Sequence, residues 1–577
     1  MNISSLLSLI VATGLMAVIW RLAGSSRRFR SVGERTTLAG TMLPEEFGPR
    51  LTSRRLYLAR WLIGLLLVVA AGFHVYHALF AVGPLRVDPA YAGLKDRFDN
   101  RNRRESESIL RGWIFDRHHD VNRTLARYRH LNGRVFREYQ QALAASHLTG
   151  YGTFVRGDSA LEKALNTPAS KGQEQTFAAR LLGLAREPEL PEIGADLVTT
   201  IDYDLQREAF EQLRHRRAAV VVIDPRNGQL LALASSPGFD PLHAEVIDTW
   251  RSLMSDEQEK PLLNRAIGEY YLPGSTFKTI TAAAAIESRL DDRVYTCRHE
   301  GWTPPGGGRP IRDDREEAHG QVDLTEAFVR SCNQYFAHLG VDLDRQRMGG
   351  GVERFGLRLF PNAARSLRAG RQDRFWNTDN RAISSLLAPF SSTFVSGAEL
   401  TKYDLALESI GQGFVQVTPL QMALVAAAVA NREGKVLRPT IELDRPPVSL
   451  SQAISPATAA RLRQLMAQVV RRGTASASLT PILGGLVTAG GKTGTAQRVV
   501  AVYDPRTGEP LKYRDQQGRE LVRKRIRVDS WFIGFAPVDD PQMAFAVVVE
   551  DGGYGAATSA PIAGHLIRRA LQTGLIR

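Results

Sequence analysis

"YLPGSTFKTI", residues 271–280, decides how the rest of this 577-residue chain is read. Pro273 and Gly274 break the backbone, Ser275 follows, and the alanine-rich run from Thr281 predicts a helix. One helical turn separates Ser275 from Lys278, so the hydroxyl and the amine share a face. Taken alone, Ser-x-x-Lys is also what an N-cap serine and a solvated lysine look like. Whether Ser275 is a nucleophile or a cap depends on what else the chain carries.

On the amino-terminal side, LVTTID (Leu197 to Asp202) and AAVVVIDPRNGQLLALASSP (Ala218 to Pro237) place β-branched and small apolar residues around a DPRNG turn, which predicts a hairpin. SWFIGFAPVDDPQMAFAVVVED (Ser530 to Asp551) repeats that form near the carboxyl end. Between them, Pro419 to Gly434 and Ser455 to Gly473 predict helices. Strands at both ends with helices between them imply one antiparallel sheet on which the ends of the unit meet, an α/β (α+β) fold. The linker REPELPE, Arg186 to Glu192, precedes this unit, which is expected to span 196–577. Thr303 to Pro310 (TPPGGGRP) is read as a surface loop and not a phosphate cradle.

The net charge of +14 would suggest nucleic acid in a soluble protein. Much of it has another explanation. Residues 3–20 and 57–82 are apolar stretches near the length that crosses a bilayer, the second running from Trp61 to Val82 in its apolar part. The loop between them, 21–55, holds eight arginines against three glutamates, which places it on the cytoplasmic side. Two transmembrane helices are therefore expected, with everything after Val82 outside the cytoplasm, and no nucleic-acid partner is needed. The first stretch has no cleavage pattern after it, which favours retention over a removed signal peptide. Cys297 and Cys332 are read as isolated buried thiols, with a disulfide between them as the alternative.

Two further motifs accompany Ser275. RSCNQYF supplies Ser331-x-Asn333 at the start of an apolar helical run, and GGKTGTAQ supplies Lys492-Thr493-Gly494 where a strand is expected. A P-loop would need glycine at position 486, which is Leu486, and a helix after the motif. Ser-x-x-Lys, Ser-x-Asn and Lys-Thr-Gly in that order form the set shared by penicillin-binding proteins and serine β-lactamases.

On these residues the chain resembles the class B penicillin-binding proteins, the monofunctional peptidoglycan D,D-transpeptidases. RGWIFDR (Arg111 to Arg117) and HLTGY (His147 to Tyr151) resemble the family's membrane-proximal pedestal, which places a pedestal at 84–195. VVVIDPRNGQLLALASSPGFDP, LNRAIGEYYLPGSTFK, SIGQGFVQVTPLQMA and SWFIGFAPVDDP resemble successive blocks of its transpeptidase domain. Leu242 stands where the family often has asparagine after FDP.

The resemblance implies a role for each residue. Ser275 is the nucleophile and Lys278 the base, whose pKa must fall from about 10.4 to near 7, about 4 kcal/mol, through burial and a cationic neighbour such as Lys492. Ser331 relays a proton to the leaving amine, and Asn333 holds Lys278 and the substrate amide. Lys492 and Thr493 grip the substrate carboxylate, and Gly494 admits the peptide as an added strand. The N–H groups of Ser275 and Thr495 form the oxyanion hole. The histidines, His118 and His119 included, show no metal-ligand spacing, so no metal and no cofactor are expected.

The basic stretch Arg498 to Val528 is read as an extension of the hairpin that leaves the Lys-Thr-Gly strand, either solvated or in contact with an anionic polymer. The resemblance further implies peptidoglycan stem peptides and their lipid-linked precursor as substrates, β-lactam antibiotics as acylating ligands, and a polytopic SEDS-type glycosyltransferase as partner. It places the catalytic domain on the periplasmic face of the inner membrane. Two rival readings are a class D type β-lactamase or β-lactam sensor, and a non-catalytic scaffold that activates a glycan polymerase. The Ser-x-Asn motif and the pedestal weigh against the first, the intact catalytic set against the second.

Overall fold

The computed structural model describes residues 109–131, 134–153, 157–165, 192–193, 195–360, 392–395, 401–504, 509–514 and 517–577, together with Trp61, Gly64, Leu65, Val68 and Gly72. The expected span at 3–20, the basic loop at 21–55 and all but those five residues of 57–82 lie outside the described residues. Among the described residues no helix is long and apolar enough to cross a membrane.

A small sheet comes first. β1 (Ile114–Phe115), β2 (Thr124–Leu131) and β3 (Arg134–Tyr139) pair antiparallel in succession, and α1 (Ala142–Thr149) follows. β4 (Leu197–Val198) completes the sheet by running parallel to β1, with Leu197 opposite Ile114. The sequence places LVTTID at the start of the second unit, but its first two residues close the first sheet. The next two bond across to both. Thr199 Oγ1 donates to Phe115 O at 2.7 Å, and Thr200 Oγ1 donates to Leu230 O at 2.7 Å. A β-branched run fits either sheet equally well, so pattern alone does not assign it.

HLTGY docks this region onto the larger sheet. His147 is buried, and burial pushes its imidazole down to about 4, so the neutral ring donates from Nε2 to Pro261 O at 2.8 Å. Asn264 Nδ2 in turn donates to His147 O.

The larger unit opens with α2 (Tyr203–Leu213), whose N-cap Asp202 accepts from Leu205 N at 2.8 Å, a cap worth about 1 kcal/mol. β5 (Ala218–Ile223) and β6 (Leu230–Ser236) form the expected hairpin. Then come α3 (Lys278–Glu287), the short pair β7 (Tyr295–Cys297) and β8 (Gly320–Val322), α4 (Leu324–Arg330) and α5 (Asn333–Arg354). α6 (Pro419–Ala430) is apolar around its whole circumference apart from Gln421, and all of its residues are buried, as a core helix requires. α7 (Pro456–Arg472) starts, like α6, with a hydroxyl cap and proline at the first helical position.

β9 (Gly490–Ala501), β10 (Lys524–Ala536), β11 (Met543–Val549) and α8 (Ser559–Gln572) complete the chain. The main sheet has the antiparallel order β6-β5-β11-β10-β9. First and last hairpins meet where Val220 lies opposite Val547, as the strand pattern implies. Every residue of β5, β6 and β11 is buried, so helices cover both faces. β9 pairs with β10 along its length, from Gly490 opposite Phe535 to Ala501 opposite Lys524. Its other edge has no strand neighbour among the described residues. Past Ala496 this hairpin leaves the core: Val499 and Ile526 are exposed, and a second small ladder, Lys512–Arg514 with Glu520–Val522, extends it. The basic stretch is thus an extension of the hairpin, as its position implies.

Candidate active site

Ser275 sits in a short 3-10 turn, Gly274–Phe277, that runs directly into α3. The turn is held tightly. Gly274 has φ +54° and donates its N–H to Gly411 O at 2.9 Å; Gly411 has φ +73°. A Cβ on Gly411 would lie 2.1 Å from Gly274 O, so both positions need glycine for their φ and for this contact. Trp531 Nε1 donates to Leu272 O at 3.1 Å, and Tyr271 donates its phenol to Glu550 Oε1 at 3.0 Å, anchoring the segment before the turn to the sheet.

Lys278 points from α3 into the gap between α4 and α5. Its Nζ donates to Ser331 O at 2.6 Å and to Asn333 Oδ1 at 2.7 Å, with Ser331 Oγ at 3.4 Å. Ser331 is the residue that ends α4, in the left-handed conformation at φ 62°, ψ 39°. A non-glycine residue there costs roughly 1 kcal/mol, and the turn directs its hydroxyl between the two lysines. Lys492 Nζ, from β9, donates to that hydroxyl at 2.7 Å. Ser331 Oγ therefore bridges the amines of two motifs far apart in sequence.

Both lysines are fully buried. Loss of hydration disfavours an ammonium, and it lowers Lys278 to about 8. The expectation gave Lys492 a share in that shift, but burial is its cause, and Asp313 works the other way. The repulsion acts on Lys492, which burial first and the Lys278 charge second push well below the usual lysine range. Aromatic faces moderate the burial: Phe336 lies 5.7 Å from Lys278 Nζ and Phe328 5.7 Å from Lys492 Nζ. Among the described residues no carboxylate forms an ion pair with either lysine.

The remaining candidates line the same cleft. Asn333 opens α5, with its side-chain Oδ1 taken by Lys278 and its Nδ2 donating to Arg312 O at 2.9 Å. One amide proton is left for a substrate. Thr493 Oγ1 lies 2.7 Å from Thr474 Oγ1, a partner that the sequence reading misses because GT after α7 announces only a helix end. The half-buried Thr495 accepts from Gly555 N at 3.4 Å. Gly494 packs against the nucleophile turn: a Cβ there would meet Thr276 Cγ2 at 2.8 Å and Pro273 O at 2.9 Å. Close approach of the turn, besides that of a peptide, therefore requires glycine at 494. No hydrogen bond joins the Ser275 hydroxyl to either lysine among the described residues, and such catalytic bonds commonly tighten only when substrate binds.

Behind the turn lies a second group that no linear spacing announces. Asp313 is buried; its Oδ1 accepts from Asn333 N, and its Oδ2 accepts from Gln334 Nε2 at 2.9 Å and from the Cys332 thiol at 3.4 Å. Strand pairing sets Cys297 opposite Gly320, beside His319. Cys297, Asp313, His319 and Cys332 each offer one ligand atom, all within 4.8 Å of one another. The expectation of no metal rested on local spacing, yet these four donors come from three separate segments. Both cysteines are free, with sulfurs 2.7 Å apart, so the expectation that they are isolated is corrected: the pairing of β7 with β8 and the turn after α4 set them in contact.

Residues 218–568 match the penicillin binding protein transpeptidase domain. Over 542 residues the chain is 31% identical to peptidoglycan D,D-transpeptidase PbpA of Mycolicibacterium smegmatis, spanning 86% of this chain and 94% of that one. It is 28% identical over 403 residues to peptidoglycan D,D-transpeptidase MrdA of Escherichia coli, spanning 66% of this chain and 58% of that one. The fold is similar to penicillin-binding protein A of M. tuberculosis in its ceftriaxone acyl-enzyme complex, with a TM-score of 0.64 at 28% identity, covering 82% of this chain and 100% of that one. A match over more than half of the chain, on a cleft where three distant motifs converge, leaves one assignment: the chain belongs to the penicillin-binding protein transpeptidases, in their class B branch.

Proposed function

We propose that this protein is a serine-type peptidoglycan D,D-transpeptidase that cross-links stem peptides through a Ser275 acyl-enzyme and is acylated at the same serine by β-lactams. The observation that carries this reading is the Ser331 hydroxyl held between two buried lysines, of which Lys278 lies one turn of helix from Ser275. Such a site moves protons without a metal or a cofactor.

As an ammonium, Lys278 spends its protons on Ser331 and Asn333. Loss of one proton frees a lone pair for Ser275. Ser275 Oγ then attacks the carbonyl of the penultimate D-alanine while Lys278 takes its proton. The oxyanion is held by the N–H groups of Ser275 and Thr495, each donor worth a few kcal/mol. The C–N bond to the terminal D-alanine breaks, and its nitrogen receives a proton through Ser331, which Lys492 polarises. An acceptor amine next attacks the acyl-enzyme, gives up its proton along the same route, and leaves Ser275 free. The donor peptide adds along the open edge of β9. Its carboxylate meets Lys492 and Thr493, with Thr474 orienting the Thr493 hydroxyl.

The same reading includes the parts that rest on sequence. Residues 3–20 and 57–82 anchor the chain in the inner membrane, the region 84–195 serves as the pedestal, and the catalytic domain faces the periplasm. A polytopic SEDS-type glycosyltransferase supplies the glycan strands from lipid-linked precursor. The hydrophobic pattern and the basic loop support the anchor, and the small sheet of β1 to β4 supports a separate platform below the catalytic unit.

Intact mass of the detergent-solubilised full chain after brief exposure to benzylpenicillin tests the core of this reading, beside Ser275→Ala. A stable adduct on the wild type alone is the expected result. Rapid loss of penicillin without an adduct would instead make the protein a β-lactamase, and neither adduct nor loss would make it a scaffold.

A further inference from the structure

The basic hairpin beyond Ala496 has no task in the transfer chemistry. Residues 498–528 carry nine lysines and arginines against four acidic residues. The register of β9 with β10 sorts the near half of them onto two faces, because side chains alternate along each strand and opposite residues share a side. Arg498 lies opposite Arg527 and Val500 opposite Arg525, and this face turns toward the body of the domain. Its cations are all paired there: Arg498 with Glu269 at 3.5 Å, Arg525 with Asp551 at 2.6 Å and Arg527 with Glu550 at 2.8 Å. Charge on that side holds the hairpin to the domain.

The other face is built differently. Val499 lies opposite Ile526, and Ala501 opposite Lys524. Val499 and Ile526 are 64% and 62% exposed, an apolar cross-strand pair left in solvent. Lys524 and Arg523 beside it are exposed and form no ion pair among the described residues. Further out, Tyr513 pairs with Leu521 in the small ladder, and both are exposed. Apolar and aromatic side chains set among unpaired cations make a surface suited to an anionic ligand with apolar faces of its own.

Alternation also puts this face in line with the cleft, since Thr493, Thr495, Gln497 and Val499 follow one another on the same side of β9. On the transpeptidase reading, on which this inference rests, the terminal carboxylate of the donor meets Thr493 and its scissile carbonyl meets the Thr495 N–H. The donor therefore runs antiparallel to β9, and its amino-terminal part points to Gln497 and Val499. Thr495 and Val499 are about 13 Å apart along the strand. Three residues precede the penultimate D-alanine in a pentapeptide stem and extend about 10 Å, so the sugar that bears the stem arrives beside Val499 and Lys524.

We infer that this face of the hairpin is a platform for the uncross-linked peptidoglycan strand that carries the donor stem, with a sugar ring on the Val499–Ile526 pair and the carboxylates of neighbouring stems on Arg523 and Lys524. Every uncross-linked stem ends in a carboxylate, so the charge of the occupant opposes that of the surface. A sugar ring turns C–H groups to the apolar pair and keeps its hydroxyls in water, as a shallow exposed surface requires. No bond forms or breaks on the platform; it lengthens the stay of the strand beside Ser275. One exposed charge pair adds at most about fivefold in affinity, so the platform works through several weak contacts.

The test is retention of full-length protein in detergent on immobilised uncross-linked strands with intact stems, after benzylpenicillin has blocked Ser275 and intact mass has confirmed the adduct. The penicilloyl group occupies the cleft, so the remaining binding reports on surfaces outside it. That binding should weaken at least about tenfold between about 0.05 and 0.5 M salt. It should weaken at least about fivefold when Arg523→Gln is combined with Lys524→Gln, and at least about threefold when Val499→Ser is combined with Ile526→Ser. Both double variants should be acylated by benzylpenicillin at the wild-type rate, because it carries no stem or glycan, and that rate also shows that they fold. Polyglutamate, an anionic polymer without sugar, should bind at least about tenfold more weakly than the strands. A blocked wild type that does not bind strands, or a normally acylated double variant that binds them like the wild type, would overturn the platform. Polyglutamate held as tightly as the strands would overturn it in favour of an acidic protein as occupant. For a variant that fails to fold, amidation of the stem carboxylates takes its place: amidated strands should bind the blocked wild type at least about fivefold more weakly, and equal binding would overturn the platform. Absence of any adduct on the wild type would instead count against the transpeptidase reading, and strand binding would then be judged on the unblocked protein with the same variants.

Discussion

Two clusters share the turn at Ser331, Cys332 and Asn333, and they treat burial in opposite ways. In front, Lys278 and Lys492 are buried with neutral acceptors and aromatic rings as company. Behind, the Asp313 carboxylate is buried with donors on both oxygens. The front stores an unfavourable electrostatic state that substrate chemistry can use, whereas the back satisfies its polar groups and holds the turn. Catalysis and position are thus divided between two sides of one three-residue segment.

The largest test of this division removes the base. Lys278→Met should slow benzylpenicillin acylation by about 10³-fold or more. Its thermal unfolding midpoint should stay within a few degrees of the wild type, because relief from burying an ammonium offsets the acceptors left behind. Mass spectrometry and calorimetry on one preparation report both. A large fall in stability would mean that the front also carries the fold.

Asp313→Ala attacks the back and should show the reverse weighting. Three donors, the Asn333 N–H, the Gln334 amide and the Cys332 thiol, lose their acceptor, so unfolding free energy should drop by about 2–4 kcal/mol, with acylation reduced by about 10 to 100-fold. Urea unfolding beside acylation rates would reveal whether position or chemistry suffers more.

The pH dependence follows from Lys278. Its pKa near 8 lies below that of an unfolded lysine, so the folded chain binds this proton more weakly. The penalty is fully present below pH 8, and stability recovers as pH rises from about 8 to about 10.5. Because the free amine is the base, the acylation rate constant should climb about tenfold per pH unit up to about 8 and then level off. A flat profile between pH 6 and 8 would move the base elsewhere.

The smallest effect concerns Ser331 itself. Both variants lose the hydroxyl that accepts from buried Lys492 and slow the reaction, but Ser331→Gly also relieves the left-handed backbone and should be about 1 kcal/mol more stable than Ser331→Ala. Chemical denaturation of both variants separates strain from the lost hydroxyl.

The sequence announces the front of the site and not the back, for a physical reason. Ser275 and Lys278 lie one helical turn apart, and Lys492, Thr493 and Gly494 are neighbours on a strand, so short-range spacing reveals them. The two end hairpins and the capped helices are legible for the same reason, since turn and cap chemistry is local. Asp313, His319 and Cys297 reach Cys332 only through the pairing of β7 with β8 and the break between α4 and α5. Thr474 reaches Thr493 only because α7 ends beside β9. Leu197 and Val198 joined the smaller sheet because a short β-branched run carries no mark of its partner.

The unpaired side of β9 has a consequence beyond catalysis. A row of open N–H and C=O groups that accepts a peptide strand also accepts the same strand of another copy, the route by which sheet proteins clump. The far half of the hairpin counters it with charge: the exposed Arg523 and Lys524 put like charges where two such hairpins would meet in register. Trimming those side chains to neutral ones should therefore leave penicillin acylation alone and show itself in the solubility of concentrated protein.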